Sequence, residues 1–341
     1  MGRIKILDPG LCTTIQDSGR TGYQRYGMPV SGAMDEFSYK IANLLVDNQE
    51  DTPTLEFTIG GLKINFIDDC IIAITGANSK VYLNQCQLPN WQSIYVSGGS
   101  VLSVDEIEGG LRGYLAFKGG IKVEKKLGSS STYLRGKIGG YQGRRLKRDD
   151  LLEFNHCPTK ENYSYRYLKD KYIPEYKNEV VCRVIMGPQE DHFSKEGIKT
   201  FLNSKYTVTD QVDRMGYRLK GPDIEHKEGS DIISDGIAQG SIQVPGHQQP
   251  IVMLADRQTT GGYPKIATVI SVDLAKIAQL KPGSKVSFKK VKIELAHELL
   301  KKRKNSYQEI IEETTNYGPG QFYRVKINQI DYNVMIEEVI E

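Results

Sequence analysis

Residue types that carry metal or redox chemistry are scarce in this sequence. Its 341 residues include five histidines (His156, His192, His226, His247 and His297), none paired at a metal-ligand spacing. Each reads as structural or as a surface residue, and Asp191-His192, near a helix start, reads as a cap before it reads as catalytic. The five cysteines (Cys12, Cys70, Cys86, Cys157 and Cys182) are odd in number and lack a C-x-x-C spacing. That argues against a disulfide framework or a thiolate zinc site, so a reducing cytoplasmic setting is expected. Charge of one sign is also lacking: the net charge is +3, and the basic runs at 144–148 and 301–304 have acidic neighbours. Neither nucleic acid nor an anionic membrane is an expected partner. No apolar stretch approaches a membrane span, and the first ten residues hold no signal-peptide core. The phosphate cradles Gly-x-x-x-x-Gly-Lys-Ser/Thr and Gly-x-Gly-x-x-Gly are missing, as is the Gly-x-Ser-x-Gly elbow.

Strand signals are what the sequence does contain. Leu62, Ile64 and Phe66 alternate with polar residues, residues 71–75 form a short apolar run, and Gly98-Gly99 separates two further runs. Thirty-four glycines, many in pairs, suit the turns and bulges of a curved sheet. Helices are few. One ends near Val46 with Met34, Phe37, Ile41, Leu44 and Leu45 on a face; one runs from Phe193 to Leu202 with Ser194 as its cap; a third follows Asp273. Residues 156–179 are polar, rich in Tyr and Lys, and read as a linker. A charged helix over 293–313 precedes two alternating runs, Tyr323 to Ile327 and Tyr332 to Ile336, that predict a terminal hairpin. Arg20-Thr-Gly-Tyr23 returns as Arg214-Met-Gly-Tyr217, and Gly139-Gly-Tyr141 as Gly261-Gly-Tyr263. This hint of duplication favours two related β-domains.

Two polar clusters stand out. The first places Gln16, Asp17, Arg20, Ser31 and Asp35 among glycines ahead of the first helix. The second joins Ser234-Asp-Gly236, Gly240-Ser-Ile-Gln-Val-Pro245 and Ala255-Asp-Arg-Gln-Thr-Thr-Gly-Gly-Tyr-Pro-Lys265. A strand over 251–254 would deliver Asp256, Arg257, Gln258, Thr259 and Thr260 together at one sheet edge, and loops on a rigid scaffold are where binding residues concentrate. The same residue types also serve as internal hydrogen-bond staples.

Thr14-Ile-Gln-Asp-Ser-Gly-Arg-Thr-Gly-Tyr23, Ser31-Gly-Ala-Met-Asp35, Gly128-Ser-Ser-Ser-Thr-Tyr-Leu-Arg135, Met186-Gly-Pro-Gln189, Asp213-Arg-Met-Gly-Tyr-Arg218 and Ala255 to Lys265 resemble the KipA family. This is the family of the 5-oxoprolinase C subunit, or of biotin-dependent carboxyltransferases, related to the carboxyltransferase module of urea carboxylase. The resemblance covers residues 4–290, with Gly61 where the family pattern has Pro. It implies a mainly β fold of two cyclophilin-like β-barrel domains with a few short helices and a C-terminal helix-hairpin extension. The expected boundaries are 1–155, a linker at 156–179, 180–290, and the extension at 291–341. The implied partners are a KipI-like B subunit, together with an A subunit. The three open the lactam of 5-oxoproline to glutamate with ATP hydrolysis. No bound cofactor is expected on this chain. ATP is used by the complex, and because Ala-Met-Lys-Met is lacking, biotin would arrive only on another protein.

Within that frame Gln243, Arg257, Gln258 and Thr259 are candidate oxyanion donors, and Asp256 or Asp17 a candidate base or orienter. Lys265, Arg20 and Arg214 are candidate partners for a substrate carboxylate, with Gln16, Ser31, Asp35, Tyr217 and Tyr263 lining the binding site. Two other functions fit the resemblance. One is carboxyl transfer to urea or a similar amide from carboxybiotin supplied in trans. The other is a non-catalytic antagonist that binds a KipI-type kinase inhibitor.

Overall fold

The computed structural model describes residues 1–155, 165–315, 321–327 and 330–336. Two compact units result: Met1–Ser18 with Glu36–Glu175 and Tyr307–Glu341, and Gly19–Asp35 with Tyr176–Ser306. Both are mainly β, and the described residues hold four α-helices.

The first unit is built on a nine-stranded sheet. Cys12–Gln16, Thr54–Thr58, Val101–Phe117, Leu62–Phe66, Gly2–Pro9 and Leu151–Phe154 follow one another across it. The long strand Cys70–Leu83 also pairs with Val101–Phe117 and carries Cys86–Leu88 and Ser93–Val96. Register shifts between Gly76 and Val81 bend this long pair, as bulges do, and the sheet curves into a half-barrel. Leu62, Ile64 and Phe66 are buried while Lys63 between them is exposed, the period-two outcome their alternation predicts. They join Ile4, Ile72, Leu115 and Phe117 in the core. Helix Glu36–Leu45 buries Tyr39, Ile41, Ala42 and Leu45. The Thr75 hydroxyl ties the sheet to it by donating to the Ser38 carbonyl at 2.7 Å.

The second unit is a closed seven-stranded barrel. Its order is Glu179–Met186, Lys265–Val269, Ser241–Gln243, Ile251–Met253, Gly216–Lys220, Tyr206–Val212 and Lys285–Lys290, which pairs back in parallel with the first. Val184, Tyr217, Leu219, Ile242, Val252, Ala267 and Phe288 fill the core. Helix Lys195–Asn203 stacks Phe201 on Phe288 with centroids 4.8 Å apart. Ser194 caps this helix by accepting from the Gly197 amide at 2.9 Å, as its position predicts. Asp273 sits before the short helix Leu274–Ala278 but makes no side-chain cap bond. Its carboxylate instead takes the Arg183 backbone N–H and a two-nitrogen clasp from the Arg183 guanidinium. The clasp engages both carboxylate oxygens, a two-point, charge-assisted geometry.

Gly19–Asp35 belongs to the same unit as Tyr176–Ser306, so the Arg20 and Arg214 motifs both serve the barrel unit. Part of the stretch read as a linker, 156–164, lies outside the described residues. Beyond it, Tyr165 and Leu168 are buried, and the Tyr165 hydroxyl donates to Gln92 Oε1 at 2.6 Å. Helix Ile293–Thr315 is followed by the antiparallel strands Gln321–Ile327 and Ile330–Ile336, in register at Ile327 and Ile330. Asn328 and Gln329, between the two runs, lie outside the described residues. Gly61 has φ +78°, a conformation that proline's ring forbids.

Candidate functional site

The barrel's register assembles one cluster. Tyr217, Val252 and Ile242 lie side by side on three neighbouring strands and are fully buried in the core. Alternation sends the next residues to the outer face, where Arg218, Ile251 and Gln243 form a second row. A bulge after Ile242 brings Lys265 opposite Gln243 and extends that row to a fourth strand. A cavity of about 360 Å³ opens here, lined in part by Asp210, Asp213, Arg218, Gln243, Gln258 and Tyr263.

Two carboxamides converge in it. Gln243 is 2 % exposed and donates from Nε2 to the Tyr263 carbonyl at 3.3 Å. Gln258 is exposed and lies past the end of strand Ile251–Met253. Between them is Gly261: a Cβ there would stand 2.9 Å from Gln243 Nε2 and 3.0 Å from Gln258 Nε2. Glycine is the residue that leaves both amides in place.

Lys265 is 2 % exposed, and its ammonium donates to Asp235 Oδ2 at 3.0 Å. Gln189 donates to the same oxygen at 3.1 Å and accepts from the Lys265 backbone N–H at 3.2 Å. The Lys265 hydrogen bond, with those from the Gly236 N–H and Gln189, holds the Asp235 carboxyl below its ordinary range. Asp235–Gly236 pairs with Thr260–Gly261, and the Ile237 amide donates to the Thr259 carbonyl at 2.9 Å. The half-buried Thr259 is thereby part of the ladder beside the two amides.

Several other candidates are fastened into the fold. Both Asp256 oxygens are held by Arg214, at 3.0 and 3.2 Å, and Arg214 Nη2 also donates to the Gly32 carbonyl. This buried pair anchors the loop that carries Gln258 and Thr259. Asp17 accepts from the Ser129 hydroxyl at 2.7 Å, the Ser130 backbone N–H and the Ser131 hydroxyl. It is 3 % exposed, and these donors fasten it to the 129–131 turn. Gln16 is fully buried beside it, donating to Thr14 Oγ1 and the Thr132 carbonyl. Tyr217 points into the barrel and donates to the Ala278 carbonyl at 3.2 Å, away from the cavity its neighbours line. Asp35 accepts from Gln279 Nε2 at 2.9 Å, and Arg20 is 1 % exposed. Ser31 is buried with φ +56°, and its N–H donates to the Ala255 carbonyl at 3.0 Å.

Arg257 is buried, donating to the Ile237 and Leu254 carbonyls at 2.9 and 3.2 Å. Burial pushes its guanidinium down to about 10. Among the described residues no group of three or more His, Cys, Asp or Glu is arranged to hold a metal ion. Arg218, Asp210 and Gln189 are constituents that sequence reasoning did not select as site residues, and Asp235 entered only within the Ser234-Asp-Gly236 segment of the second cluster, without a role. Arg218 was legible as the outward neighbour of a buried Tyr217 once the strand was recognised. Asp235 and Gln189 meet Lys265 only through the fold.

Known proteins resemble this chain over most of its length. The C subunit of 5-oxoprolinase from Haemophilus influenzae is 35% identical over 299 residues, 88% of this chain and 94% of that protein. The Saccharomyces cerevisiae urea amidolyase is 36% identical over 304 residues, 84% of this chain. This chain spans only 16% of that enzyme's length. The crystal structure of the K. lactis urea amidolyase superposes with a TM-score of 0.86 at 32% identity, covering 90% of this chain and 20% of that one. A family profile, carboxyltransferase domain, subdomain A and B, matches residues 26–290. By that match, and by relatives sharing a third of its residues, the chain belongs to the carboxyltransferase domain family.

Proposed function

We propose that this chain is the C subunit of an ATP-dependent 5-oxoprolinase. It works with a KipI-like B subunit, together with an A subunit, to hydrolyse 5-oxoproline to glutamate. The observation that carries this reading is the extent of the match to the H. influenzae protein, 94% of whose length is covered. The cavity on the barrel's outer wall supports it. At about 360 Å³ it is within the range of small-molecule sites and presents amides, carboxylates and a cation.

An amide carbonyl is a poor electrophile, and coupling to ATP makes its opening feasible when its oxygen is activated. Water adds to the carbonyl carbon to give a tetrahedral intermediate whose oxyanion is the former carbonyl oxygen. Its collapse breaks the ring C–N bond, the nitrogen takes a proton from the added water and leaves as the amine of glutamate, and ATP is hydrolysed to ADP and phosphate in the same cycle. In this chain the Gln243 and Gln258 N–H groups are the donors toward the oxyanion that develops on the former carbonyl oxygen. Arg218 is the partner for the substrate carboxylate. Lys265, held by Asp235 and Gln189, fixes the strand that carries it against Gln243. Reconstitution tests the reading. Purified chain mixed with its partner subunits should hydrolyse ATP in a 5-oxoproline-dependent manner, and the chain alone should not. Oxoproline-dependent turnover by the isolated chain, or none by the full complex, overturns it.

A second reading is carboxyl transfer to urea or a similar amide, favoured by the likeness to the amidolyase structure. Biotin would be the carrier, delivered on another protein, and would supply the activated carboxyl group. The two carboxamides are of a kind that fits its ureido ring, because each offers two N–H donors and a carbonyl acceptor. Urea-dependent consumption of carboxybiotin is the activity that would select this reading.

A further inference from the structure

We infer that the first unit carries a separate small-molecule site on the outer face of its sheet. There Lys63 and Asp105 hold the carboxylate and the ammonium of an α-amino acid with an apolar side chain. The site shares no residue with the cavity on the barrel and does not rest on the oxoprolinase reading.

The register of the sheet builds it. Lys63, Ser103 and Tyr82 lie opposite one another on three neighbouring strands, and Leu62, Val104 and Val81 in the adjoining row are buried in the core. Alternation therefore turns the Lys63 row outward. Val101 and Asp105 lie two residues either side of Ser103 on the same strand and share its face. Leu7 falls where the register of strand Gly2–Pro9 slips between Ile6 and Asp8, and such a bulge re-aims its side chain. These residues, with Asn84 and Gln85, line a cavity of about 670 Å³, well within the range of small-molecule sites. Asn84 and Gln85 form the two-residue turn between Cys70–Leu83 and Cys86–Leu88, at φ +48° and +73°. The Asn84 carboxamide pins that turn to the start of strand Val101–Phe117, donating to Ser100 Oγ at 3.1 Å and accepting from the Val101 N–H at 2.8 Å. Gln85 holds a conformation that favours glycine, and it adds a carboxamide to the lining.

The cavity sets uncommitted polar groups beside an apolar floor. Among the described residues, the Lys63 ammonium and the Asp105 carboxylate make no ion pair, and the Tyr82 and Ser103 hydroxyls make no hydrogen bond. Other charges on this sheet are paired, as in Lys5–Asp149, Lys80–Glu108 and Lys122–Glu153. Lys63 and Asp105 are diagonal neighbours on one face, a placement that spaces backbones about 7–8 Å apart. An α-amino acid bridges that gap, because its two charges sit on one carbon. Its ammonium donates to Asp105 and its carboxylate accepts from Lys63, each in a charge-assisted bond of about 2.7–2.9 Å. Ser103, opposite Lys63, offers its hydroxyl to the same carboxylate. Leu7, Val101 and the Tyr82 ring are half-buried, and they are the contact surface for an apolar ligand side chain. A ligand with a single charge answers only one of the two protein groups.

The test is calorimetric titration of the purified full chain with L-leucine, N-acetyl-L-leucine, L-leucinamide and L-glutamate. L-Leucine should bind saturably. N-Acetyl-L-leucine lacks the ammonium and L-leucinamide lacks the carboxylate, so each should bind at least tenfold more weakly. L-Glutamate, which would bring a third charge onto the apolar floor, should also bind at least tenfold more weakly. Lys63→Met should weaken L-leucine tenfold while leaving L-leucinamide unchanged, and Asp105→Asn should weaken L-leucine tenfold while leaving N-acetyl-L-leucine unchanged. Both side chains are exposed, so both variants should keep the wild-type melting temperature. Arg218→Gln, on the barrel, should leave L-leucine binding unchanged. No saturable binding of L-leucine, or blocked forms that bind as well as L-leucine, overturns the inference. So does full affinity in Lys63→Met and Asp105→Asn, or a loss confined to Arg218→Gln, which would place the ligand in the barrel's cavity. L-Glutamate binding as tightly as L-leucine overturns the apolar side chain assigned to the ligand.

Discussion

Arg214 grips Asp256 with two nitrogens, Nε to Oδ2 at 3.0 Å and Nη2 to Oδ1 at 3.2 Å, and both side chains are under a tenth exposed. The backbone doubles the link, since the Asp256 amide donates to the Arg214 carbonyl at 2.8 Å. The pair fixes the turn from which Gln258 and Thr259 project. Its effect on the site is positional, and chemistry would require one of its oxygens to be released.

Asp256→Ala is accordingly expected to destabilise the chain by roughly 3–5 kcal/mol, because it strands a buried guanidinium. Chemical denaturation of the isolated chain measures this. Wild-type stability with abolished activity in the complex would return Asp256 to the list of reacting groups.

Asp17 is expected to behave in the same way. It gathers Ser129, Ser130 and Ser131 onto the end of strand Cys12–Gln16. Hydrogen bonds to a buried charge are worth about 1.5–3 kcal/mol each, so Asp17→Ala should lower the denaturation midpoint by the equivalent of at least about 2 kcal/mol. Asp17→Asn, which keeps the acceptor oxygen on one side, should lose less. Unchanged midpoints in both variants would remove the staple.

Much of this organisation is legible in the sequence where it depends on local pattern. Alternation at Leu62, Ile64 and Phe66, and the apolar face of helix Glu36–Leu45, follow from periods that the backbone imposes. The grouping of Gln258, Gly261, Tyr263 and Lys265 follows from one strand and the short loop after it. What the sequence cannot express is register. Arg218 joins Gln243 only because both lie opposite Ile251, and Asp235 meets Lys265 across 30 residues. The polar residues Asp17 and Asp256 looked reactive because carboxylates among glycines serve sites and staples alike. Burial and the count of donors distinguish the two, and neither is a local property. The crossing of Gly19–Asp35 into the barrel unit is hidden for the same reason.

Asp273 sets a pH dependence. Burial alone would raise its pKa, but the hydrogen bonds from Arg183 and the nearby Lys276 ammonium outweigh it and hold the carboxyl below its ordinary range. A depressed carboxyl contributes stability fully above its unfolded value of about 3.9, and loses it as pH falls through the folded value. The melting-temperature gap between wild type and Asp273→Asn should therefore be constant above about pH 5 and shrink below about pH 4. A gap that stays constant to lower pH, or widens there, would mean that the carboxylate is not what the pair stabilises.

Lys265 and Gln258 distinguish a site from a scaffold more directly than the anchored acids do. Gln258 is exposed, so Gln258→Ala removes no buried contact and should melt within about 0.5 kcal/mol of wild type. Lys265 is buried, yet its partner Asp235 has a side chain 53% exposed. In Lys265→Met the aliphatic stem is replaced by one of similar shape, and Asp235 turns to water instead of being left charged in the interior. Its cost should be small, about 1 kcal/mol, unlike that of Asp256→Ala. In the reconstituted complex both variants should lose most of the 5-oxoproline-dependent ATP hydrolysis. Gln258→Ala removes a donor aimed at the substrate amide, and should raise KM as well as lower kcat. Lys265→Met acts through the Asp235–Gln189 network that orders the neighbouring ladder, so Lys265→Arg, which retains the charge, should restore part of the loss. Full activity in both variants, or collapse of both on heating, would make the cluster a staple and move the site elsewhere on the barrel.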